Sequence, residues 1–425
     1  MPGPDDAPAS ARTPAGPEPA PRRGATGMFA ALAVPNFRRY VTGQSLSLIG
    51  TWAETVAQAL LVLQLTHSGT ILGLATAARY GPILLLSPSA GLLVDRYPKR
   101  RVLLATQAGL GLVSAVLGAA VLTGEIRLWQ VIALGVLFGT FSAVDNPARQ
   151  AFVQEVVGRD LVRNAVTLNS TMVNVARVIG PTIAAVLVST IGIGWCFVVN
   201  AVSFTFVIAS LLILDTRSLH PVAPTPRRRG QLREGLRYAA SVPAIARPLL
   251  MMAVVGTLTF EFEVSLPLLA TKTFHGTGTT YSWLLGAFGA GAVAGGLYAA
   301  RWARTGVARL SWAALAYAIA VGLVAVAPTL PTAVAACVLT GAATITFLTT
   351  GNSTIQLASE PDHRGRVTAL WSMALVGSTA IGSPVIGAIS DAAGPRYALA
   401  LGAAACLAAM VIGRWPARSQ SYWQR

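Results

Sequence analysis

The sequence predicts an all-α membrane protein with twelve transmembrane helices, arranged as two six-helix bundles. Only 11% of its 425 residues are charged and 54% are hydrophobic, whereas about a quarter of a soluble domain is charged. Apolar runs of about 20 residues, the length that crosses a bilayer as a helix, recur twelve times. The two halves of the chain also repeat each other, which predicts two related bundles.

The apolar runs define the spans in chain order. Runs 4 and 10 extend into polar ends, and runs 5 and 11 begin with polar turns. The predicted spans are 40–65, 70–90, 102–123, 128–148, 165–189, 193–214, 248–271, 280–300, 308–327, 331–353, 367–389 and 395–414.

A Pro- and Arg-rich stretch interrupts the spans once, at residues 215–247, and we expect it to be a cytoplasmic linker. Within it, residues 231–241 could form an amphipathic helix, which we expect to lie on anionic lipid headgroups. The polar N-terminal stretch has the composition of a disordered tail. The predicted segments are a tail 1–36, an N-terminal bundle 37–214, a linker 215–247, a C-terminal bundle 248–415 and a tail 416–425.

The basic residues are distributed unevenly, and they predict the orientation. Lys and Arg number 32 against 16 acidic residues. With both termini in the cytoplasm, the outer loops hold only Arg127, Lys272 and Arg396, and Arg79 and Arg177 lie within spans. Cytoplasmic loops of membrane proteins carry such an excess of Lys and Arg. The net charge of +16 therefore indicates topology in a bacterial cytoplasmic membrane, and we expect no nucleic-acid partner.

The repeat is visible in matching residues at one offset. Gly50-Thr51 matches Gly256-Thr257, and Asn146 matches Asn352, each pair 206 residues apart. Two parallel six-helix repeats place a cavity between the halves near the membrane midplane. This plan is typical of a transporter that works by alternating access.

A short basic loop lies between the second and third spans. Gly91 is followed by Asp95-Arg96, by Pro98 and by a basic cluster that ends at Arg100-Arg101. The chain resembles the major facilitator superfamily over nearly all twelve spans, and this loop resembles the superfamily's signature, with Pro98 in place of the usual second Gly. Similarity to bacterial exporters of the enterobactin-exporter and macrolide-efflux type is carried by Asn36-Phe-Arg-Arg, Asp145-Asn-Pro-Ala-Arg149-Gln, Asn174-Val-Ala-Arg177-Val-Ile-Gly180-Pro181 and Arg364-Gly-Arg366-Val.

The resemblance implies two further features. Gly180-Pro181 is similar to a helix 5 motif of exporters, and generic small-residue packing is the alternative. The signature loop implies a conformational latch, in which Asp145 pairs with an arginine of the loop and Asp95 caps the N-terminus of span 11, near Arg366. A static clamp of the fold is the alternative. The predicted latch residues are Gly91, Asp95, Arg96, Arg100, Arg101, Asp145 and Arg366.

Five charged residues lie within spans: the acids Glu54, Glu261 and Glu263, and the cations Arg79 and Arg177. A charge at the bilayer centre costs about 2.5–3.5 kcal/mol and usually marks function. We expect one or more of the acids to bind a coupling proton, because partial burial favours the protonated carboxyl. In an unbroken helix, Glu261 and Glu263 would point about 200° apart. The alternative is neutralising pairs, Glu54 with Arg79 and Glu263 with Arg177.

Polar and aromatic side chains of spans 1, 5 and 7 are candidates for the substrate cavity, with packing as the alternative. The candidates are Trp52, Gln58, Asn169, Asn174, Phe260 and Phe262.

Motifs for nucleotide binding or enzyme catalysis are lacking. The sequence contains no G-x-x-x-x-G-K-[ST] loop, and its three cysteines have no metal spacing. We therefore expect no cofactor, no metal and no enzymatic activity. The sequence predicts a monomeric secondary transporter in the lipid bilayer, which exports a small amphipathic molecule such as a siderophore or drug in exchange for protons. The alternatives are an importer of a small metabolite and a membrane sensor that transports nothing.

Overall fold

The computed structural model describes residues 30–220, 231–301 and 305–415. Most of the predicted N-terminal tail, the middle of the predicted linker and the C-terminal tail lie outside these ranges. All regular secondary structure in the described ranges is helical. Twelve of the described helical stretches are long and apolar enough to cross a membrane, which confirms the predicted all-α membrane fold.

The described residues contain thirteen α-helices. In chain order they are α1 (Pro35–Thr66), α2 (Gly69–Arg96), α3 (Lys99–Leu122), α4 (Leu128–Thr190), α5 (Gly194–Leu212), α6 (Gln231–Ser241), α7 (Pro243–Leu258), α8 (Phe262–Leu268), α9 (Gly278–Arg301), α10 (Val307–Val326), α11 (Leu330–Ala358), α12 (Pro361–Ala392) and α13 (Pro395–Arg414). Short 3₁₀ turns occupy Ala30–Ala33 and Thr216–Ser218, and a π turn occupies Leu269–Thr273.

Spans 4 and 5 are joined through α4 instead of through a loop. Helical structure continues from Leu128 to Thr190 and is interrupted by Gly158, which has φ 71° and ψ 172°. Residues with a side chain rarely adopt this backbone conformation. The glycine therefore turns the chain within what the hydropathy pattern predicted to be a polar connection.

Span 7 is broken, and the prediction of a continuous helix there was wrong. The helix α7 ends at Leu258, and Glu261 has φ −81° and ψ 42°, outside the helical region, before α8 begins. Pro267 lies inside α8, and its missing N–H leaves the carbonyl group one turn earlier without a helical donor. Glu261 thus lies in the break and Glu263 in the first turn of α8, so the expected angle between them does not apply.

Two seams join the halves of the chain: α2 against α12, and the second part of α4 against α9. Glycines allow the backbones to touch along the first seam. A Cβ atom at Gly73 would overlap the carbonyl oxygen of Ser383, and one at Gly387 would overlap that of Gly69. In membranes such small residues let helices approach closely, so the packing of α2 on α12 depends on them.

The linker helix α6 packs on the beginning of α12, and its expected position on lipid headgroups stays a prediction. Arg366 pairs with Glu234 at 2.8 Å, and the ring of Tyr238 stacks on that of His363 at 4.0 Å. The backbone N–H of Glu360 donates to the Tyr238 hydroxyl at 3.1 Å. Since α12 begins at Pro361, Arg366 lies in the second turn and not at the N-terminus where the latch prediction placed it.

Candidate functional site

Glu54 lies at the centre of the N-terminal half and has partners on both carboxylate oxygens. It is 1% exposed. Oε2 accepts hydrogen bonds from Ser114 Oγ at 2.5 Å and Asn200 Nδ2 at 2.6 Å, and Oε1 lies 3.5 Å from Arg79 Nη1. All of these groups belong to α1, α2, α3 and α5. Glu54 therefore ties four helices of one half together.

Arg79 extends this cluster towards the other half. Its Nη1 also donates to the side-chain oxygen of Gln58, and its guanidinium lies 3.9 Å from the ring centroid of Phe138. Beside it is a cavity of about 20 Å³ whose walls include Arg79, Gln58 and Glu263. A polar cavity of this size holds about one water molecule. Gln58, a candidate for the substrate cavity, is buried against Arg79 and forms part of this cavity wall.

Glu263 is the acid that reaches across the seam. The Tyr80 hydroxyl of α2 donates to its Oε1 at 2.9 Å. The carboxylate also lies in the electrostatic field of Arg79 and Arg177, without an ion pair within 4 Å to either. A change in the charge of Glu263 therefore acts directly on a bond between the halves.

Glu261 occupies the break between α7 and α8. Its Oε2 accepts a hydrogen bond from Ser383 Oγ of α12. Its Oε1 is buried and has no hydrogen-bond partner in the described part of the chain. An ionised carboxylate with a bare buried oxygen is costly, so this site suits a group that carries a proton.

Arg177 lies against Trp52 on the seam side of α4. Its guanidinium carbon is 4.7 Å from the Trp52 ring centroid, and its buried Nε has no hydrogen-bond partner among the described residues. A Cβ atom at Gly180 would overlap the Cβ of Trp52, so the predicted exporter motif packs α4 against α1. Arg177 thus keeps an unused buried donor beside the Trp52 ring.

Two of the other candidates for the substrate cavity, Phe260 and Phe262, pack against aromatic rings. Phe260 packs edge-on against Tyr317, with ring centroids 5.9 Å apart, and Phe262 packs on Phe288 at 4.6 Å. Asn169 is half-buried on α4. The side chain of Asn174 lies outside the described set. Trp52 and Gln58 are thus the two candidates that the structure brings to the charged residues.

Five of the predicted latch residues lie where α2 meets α3, and the connection there is shorter than expected. Gly91 and Asp95 are inside α2, which ends at Arg96, and α3 starts at Lys99. Arg96 and Arg101 are exposed. Only two residues, Tyr97 and Pro98, separate the two helices.

Asp145 has partners other than the predicted loop arginines. It accepts hydrogen bonds from Thr106 Oγ1 and Gln107 Nε2, both at 2.8 Å, and lies 3.6 Å from Arg149 of its own helix. Arg100 donates instead to backbone carbonyl groups at the end of α5. In this conformation Asp145 therefore links α3 to α4.

A carboxylate that the sequence reasoning missed lies at the opposite end of the α2–α12 seam. Asp391 accepts hydrogen bonds from Ser68 Oγ at 2.8 Å, from the Gly69 N–H at 2.7 Å and from Thr70. It also pairs with Lys272 at 2.5 Å. The available signals were an acid at the end of span 11 and a Ser-Gly-Thr sequence at the start of span 2, which separately resemble ordinary helix ends.

The family described as transmembrane secretion effectors, a division of the major facilitator superfamily, matches residues 26–418. The chain belongs to this family. It is a membrane transporter and not an enzyme, and the resemblance of the spans to the superfamily is confirmed.

Two relatives of this secretion effector are named for siderophores. The staphyloferrin A transporter of Staphylococcus aureus is 29% identical over 241 residues, which are 56% of this chain and 60% of that protein. The enterobactin exporter of Shigella boydii is 26% identical over 362 residues, which are 84% of this chain and 85% of that protein.

Solved structures share the fold. A bacterial homologue of the human lysosomal transporter Spinster, in an inward-facing conformation, superposes with a TM-score of 0.68 at 16% identity and covers 92% of this chain and 95% of its own. A bacterial homologue of the iron transporter ferroportin gives 0.69 at 16% identity, over 89% and 98% of the two chains.

Proposed function

We propose that this transporter exports a small amphipathic molecule, of the siderophore class, in exchange for protons by alternating access. It works as a monomer in the bacterial cytoplasmic membrane, with both termini in the cytoplasm as the distribution of Lys and Arg favours. The observation that carries the proposal is the bond between Tyr80 and Glu263 beside the water-sized cavity. It places a titratable acid where its charge affects the contact between the halves.

The coupling step follows from the chemistry of that bond. A hydroxyl donates more strongly to a carboxylate than to a neutral carboxyl group. A proton on Glu263 weakens the bond from Tyr80 and removes the attraction to Arg79, which loosens the seam from one side. Release of the proton restores the hydrogen bond from Tyr80 and the attraction to Arg79. Glu263 thus couples proton binding to movement of the halves, while Glu54, whose oxygens are already bonded, anchors its own half.

The proposal of a siderophore substrate is supported by Arg177, a cation at the seam between α4 and α9. Arg177 has an unused buried donor and lies over Trp52. A siderophore with acidic, aromatic chelating groups would find there a charge-assisted hydrogen bond and an aromatic face. Two relatives are named for siderophores, which supports the siderophore class.

Everted membrane vesicles test the proposal. Radiolabelled enterobactin and staphyloferrin A serve as probes, and an imposed proton gradient, acidic inside, drives uptake. We expect accumulation that a protonophore abolishes, and loss of this accumulation in Glu263→Gln with retained exchange of labelled for unlabelled substrate. Glu125→Gln, which alters an exposed acid, is the matched control.

The same vesicles distinguish the alternatives. Accumulation only in right-side-out vesicles would indicate an importer. No flux of either probe with a correctly folded protein would contradict siderophore transport and favour a sensor. A Glu263→Gln variant that accumulates substrate like the unmodified protein would exclude Glu263 as the coupling acid and leave Glu261 as the next candidate.

A further inference from the structure

We propose that Asp391 is the gate contact that holds one end of the transport path shut, and that substrate passes this end only when Asp391 releases α2. This extends the proposed alternating-access transport. The carboxylate belongs to α12 and accepts from Ser68, Gly69 and Thr70 at the N-terminus of α2, at 2.7–2.8 Å. One side chain therefore joins the two halves of the chain.

The helix end makes this contact strong. The first N–H groups of a helix lack partners within the helix, and the helix dipole adds partial positive charge there. Asp391 satisfies two of these N–H groups, of Gly69 and Thr70. Lys272, after α8 at the same end, lies 2.5 Å from the carboxylate and orients it. A carboxylate between a cation and a helix N-terminus is held from both sides.

The backbones close the space behind this contact. The close approaches of Gly69 to Gly387 and of Gly73 to Ser383 leave no room for a side chain between α2 and α12. At the same end, a Cβ atom at Gly278 of α9 would come within 2.6 Å of Leu60. No ligand can pass between the helices at these points unless the halves separate.

The contacts of Asp391 can open repeatedly because its side chain is partly exposed to water. The side chain of Asp391 is 26% exposed and that of Lys272 is 34% exposed, so water can replace the partners when α2 moves away. Glu54 and Arg79 are 2% and 8% exposed, and their separation would strand buried charges. The Asp391 contact can therefore break and re-form during a cycle at a lower cost than a fully buried ion pair.

The arrangement mirrors the latch predicted at the other end of the same two helices. There, Asp95 of α2 was expected at the N-terminus of α12. Here, Asp391 of α12 lies at the N-terminus of α2, with the roles of the helices exchanged. If the predicted latch forms in another conformation, the helix pair has one acid at each end that contacts the other helix.

The test measures the distance between the halves at this end, without substrate or gradient. Spin labels are attached to Leu65→Cys on α1 and Tyr397→Cys on α13, which are 39% and 66% exposed. The three natural cysteines are buried, and a sample without the added cysteines reports any background labelling. Pulsed dipolar spectroscopy on the purified full chain in lipid nanodiscs gives the populations of short and long distances.

We expect Asp391→Asn to raise the ratio of long to short distances by about tenfold, since a charge-assisted contact to a helix N-terminus is lost. Lys272→Met, which keeps the contacts to α2, should give a smaller rise. Glu125→Gln removes an exposed acid and should leave the distribution unchanged.

An unchanged distance distribution in a monodisperse Asp391→Asn sample would overturn the gate. If that variant does not fold, Thr70→Val decides, because it removes a hydroxyl donor of α2 to Asp391 and keeps the charge, and an unchanged distribution there has the same consequence. Either result would leave the proposed proton-coupled export intact, because no transport is measured.

Discussion

Tyr80 and Glu263 meet across the two halves of the chain, with the phenol hydroxyl 2.9 Å from a carboxylate oxygen. Hydrogen bonds to charged groups contribute about 1.5–3 kcal/mol, so this bond is a sizeable part of the energy that holds the halves in their present arrangement. It is also the bond that a single proton can alter.

Replacing Tyr80 by Phe removes the hydroxyl group and keeps the aromatic ring. We therefore expect the contact between the halves to weaken without the creation of a cavity. We expect the rate of substrate exchange in proteoliposomes to rise about tenfold, as the loss of a charged hydrogen bond implies, and the dependence of flux on the proton gradient to fall. Labelled enterobactin gives both quantities.

Tyr397→Phe is the matched control, because Tyr397 is exposed at 66%. If both variants exchange substrate at the rate of the unmodified protein, the Tyr80–Glu263 bond has no part in the movement.

Replacing Glu54 by Gln should damage stability more than coupling. The substitution leaves Arg79 buried beside a neutral amide, and breaking a buried pair in this way costs about 3–5 kcal/mol. We expect a clear fall in the thermal unfolding temperature in detergent, which intrinsic tryptophan fluorescence can follow. A second substitution, Arg79→Met, should restore part of the loss.

A Glu54→Gln protein that unfolds at the normal temperature but no longer responds to a proton gradient would reverse this assignment. Glu54 would then be the coupling acid.

The close packing of α2 on α12 can be tested by adding one methyl group at a glycine. A Cβ atom at Gly73 would overlap the Ser383 backbone, whereas nothing lies within 4 Å of one at Gly81 in the same helix. Overpacking costs about 1–3 kcal/mol. We expect Gly73→Ala to lower the unfolding temperature and the transport rate, and Gly81→Ala to change neither.

Equal behaviour of the two alanine variants in the unfolding and transport measurements would show that the halves do not touch at Gly73 in the protein's stable form.

Arg177 should govern the affinity for anionic substrates. Replacing it by Met keeps much of the packing on Trp52 and removes the unused donor and the charge. We expect the KM for enterobactin to rise about tenfold or more, consistent with one charge-assisted hydrogen bond, while kcat changes little. A neutral amphipathic dye that the protein also exports should keep its KM.

A parallel rise in KM for the neutral dye would indicate a packing role for Arg177 instead of charge recognition.

Much of the fold follows from hydropathy alone, because a bilayer forces every apolar run of sufficient length into a helix. The sequence therefore predicts the spans, and the small residues at Gly180 predict a close helix contact. The break at Glu261 was missed because the apolar run continues through it, and Pro267 can occur in an unbroken membrane helix. The joining of spans 4 and 5 at Gly158 depends on one backbone conformation that composition does not reveal.

The candidate site could be predicted as a set of residues but not as a set of pairs. The five intramembrane charges stand out by their cost in lipid, yet their partners come from distant parts of the chain. Asn200 lies 146 residues from Glu54, and Tyr80 lies 183 residues from Glu263. Which acid reaches the seam depends on the helix break, and so on the fold.

The contact at Asp391 has a consequence for how such contacts are found in sequences. Two of its donors are backbone N–H groups, of Gly69 and Thr70, and every residue except proline supplies the same group. A substitution at Thr70 that keeps its N–H leaves that backbone donor to Asp391 in place. Methods that infer proximity from correlated substitutions therefore depend on the side-chain donors of this contact, Ser68, Thr70 and Lys272, and the backbone donors are found by helix position.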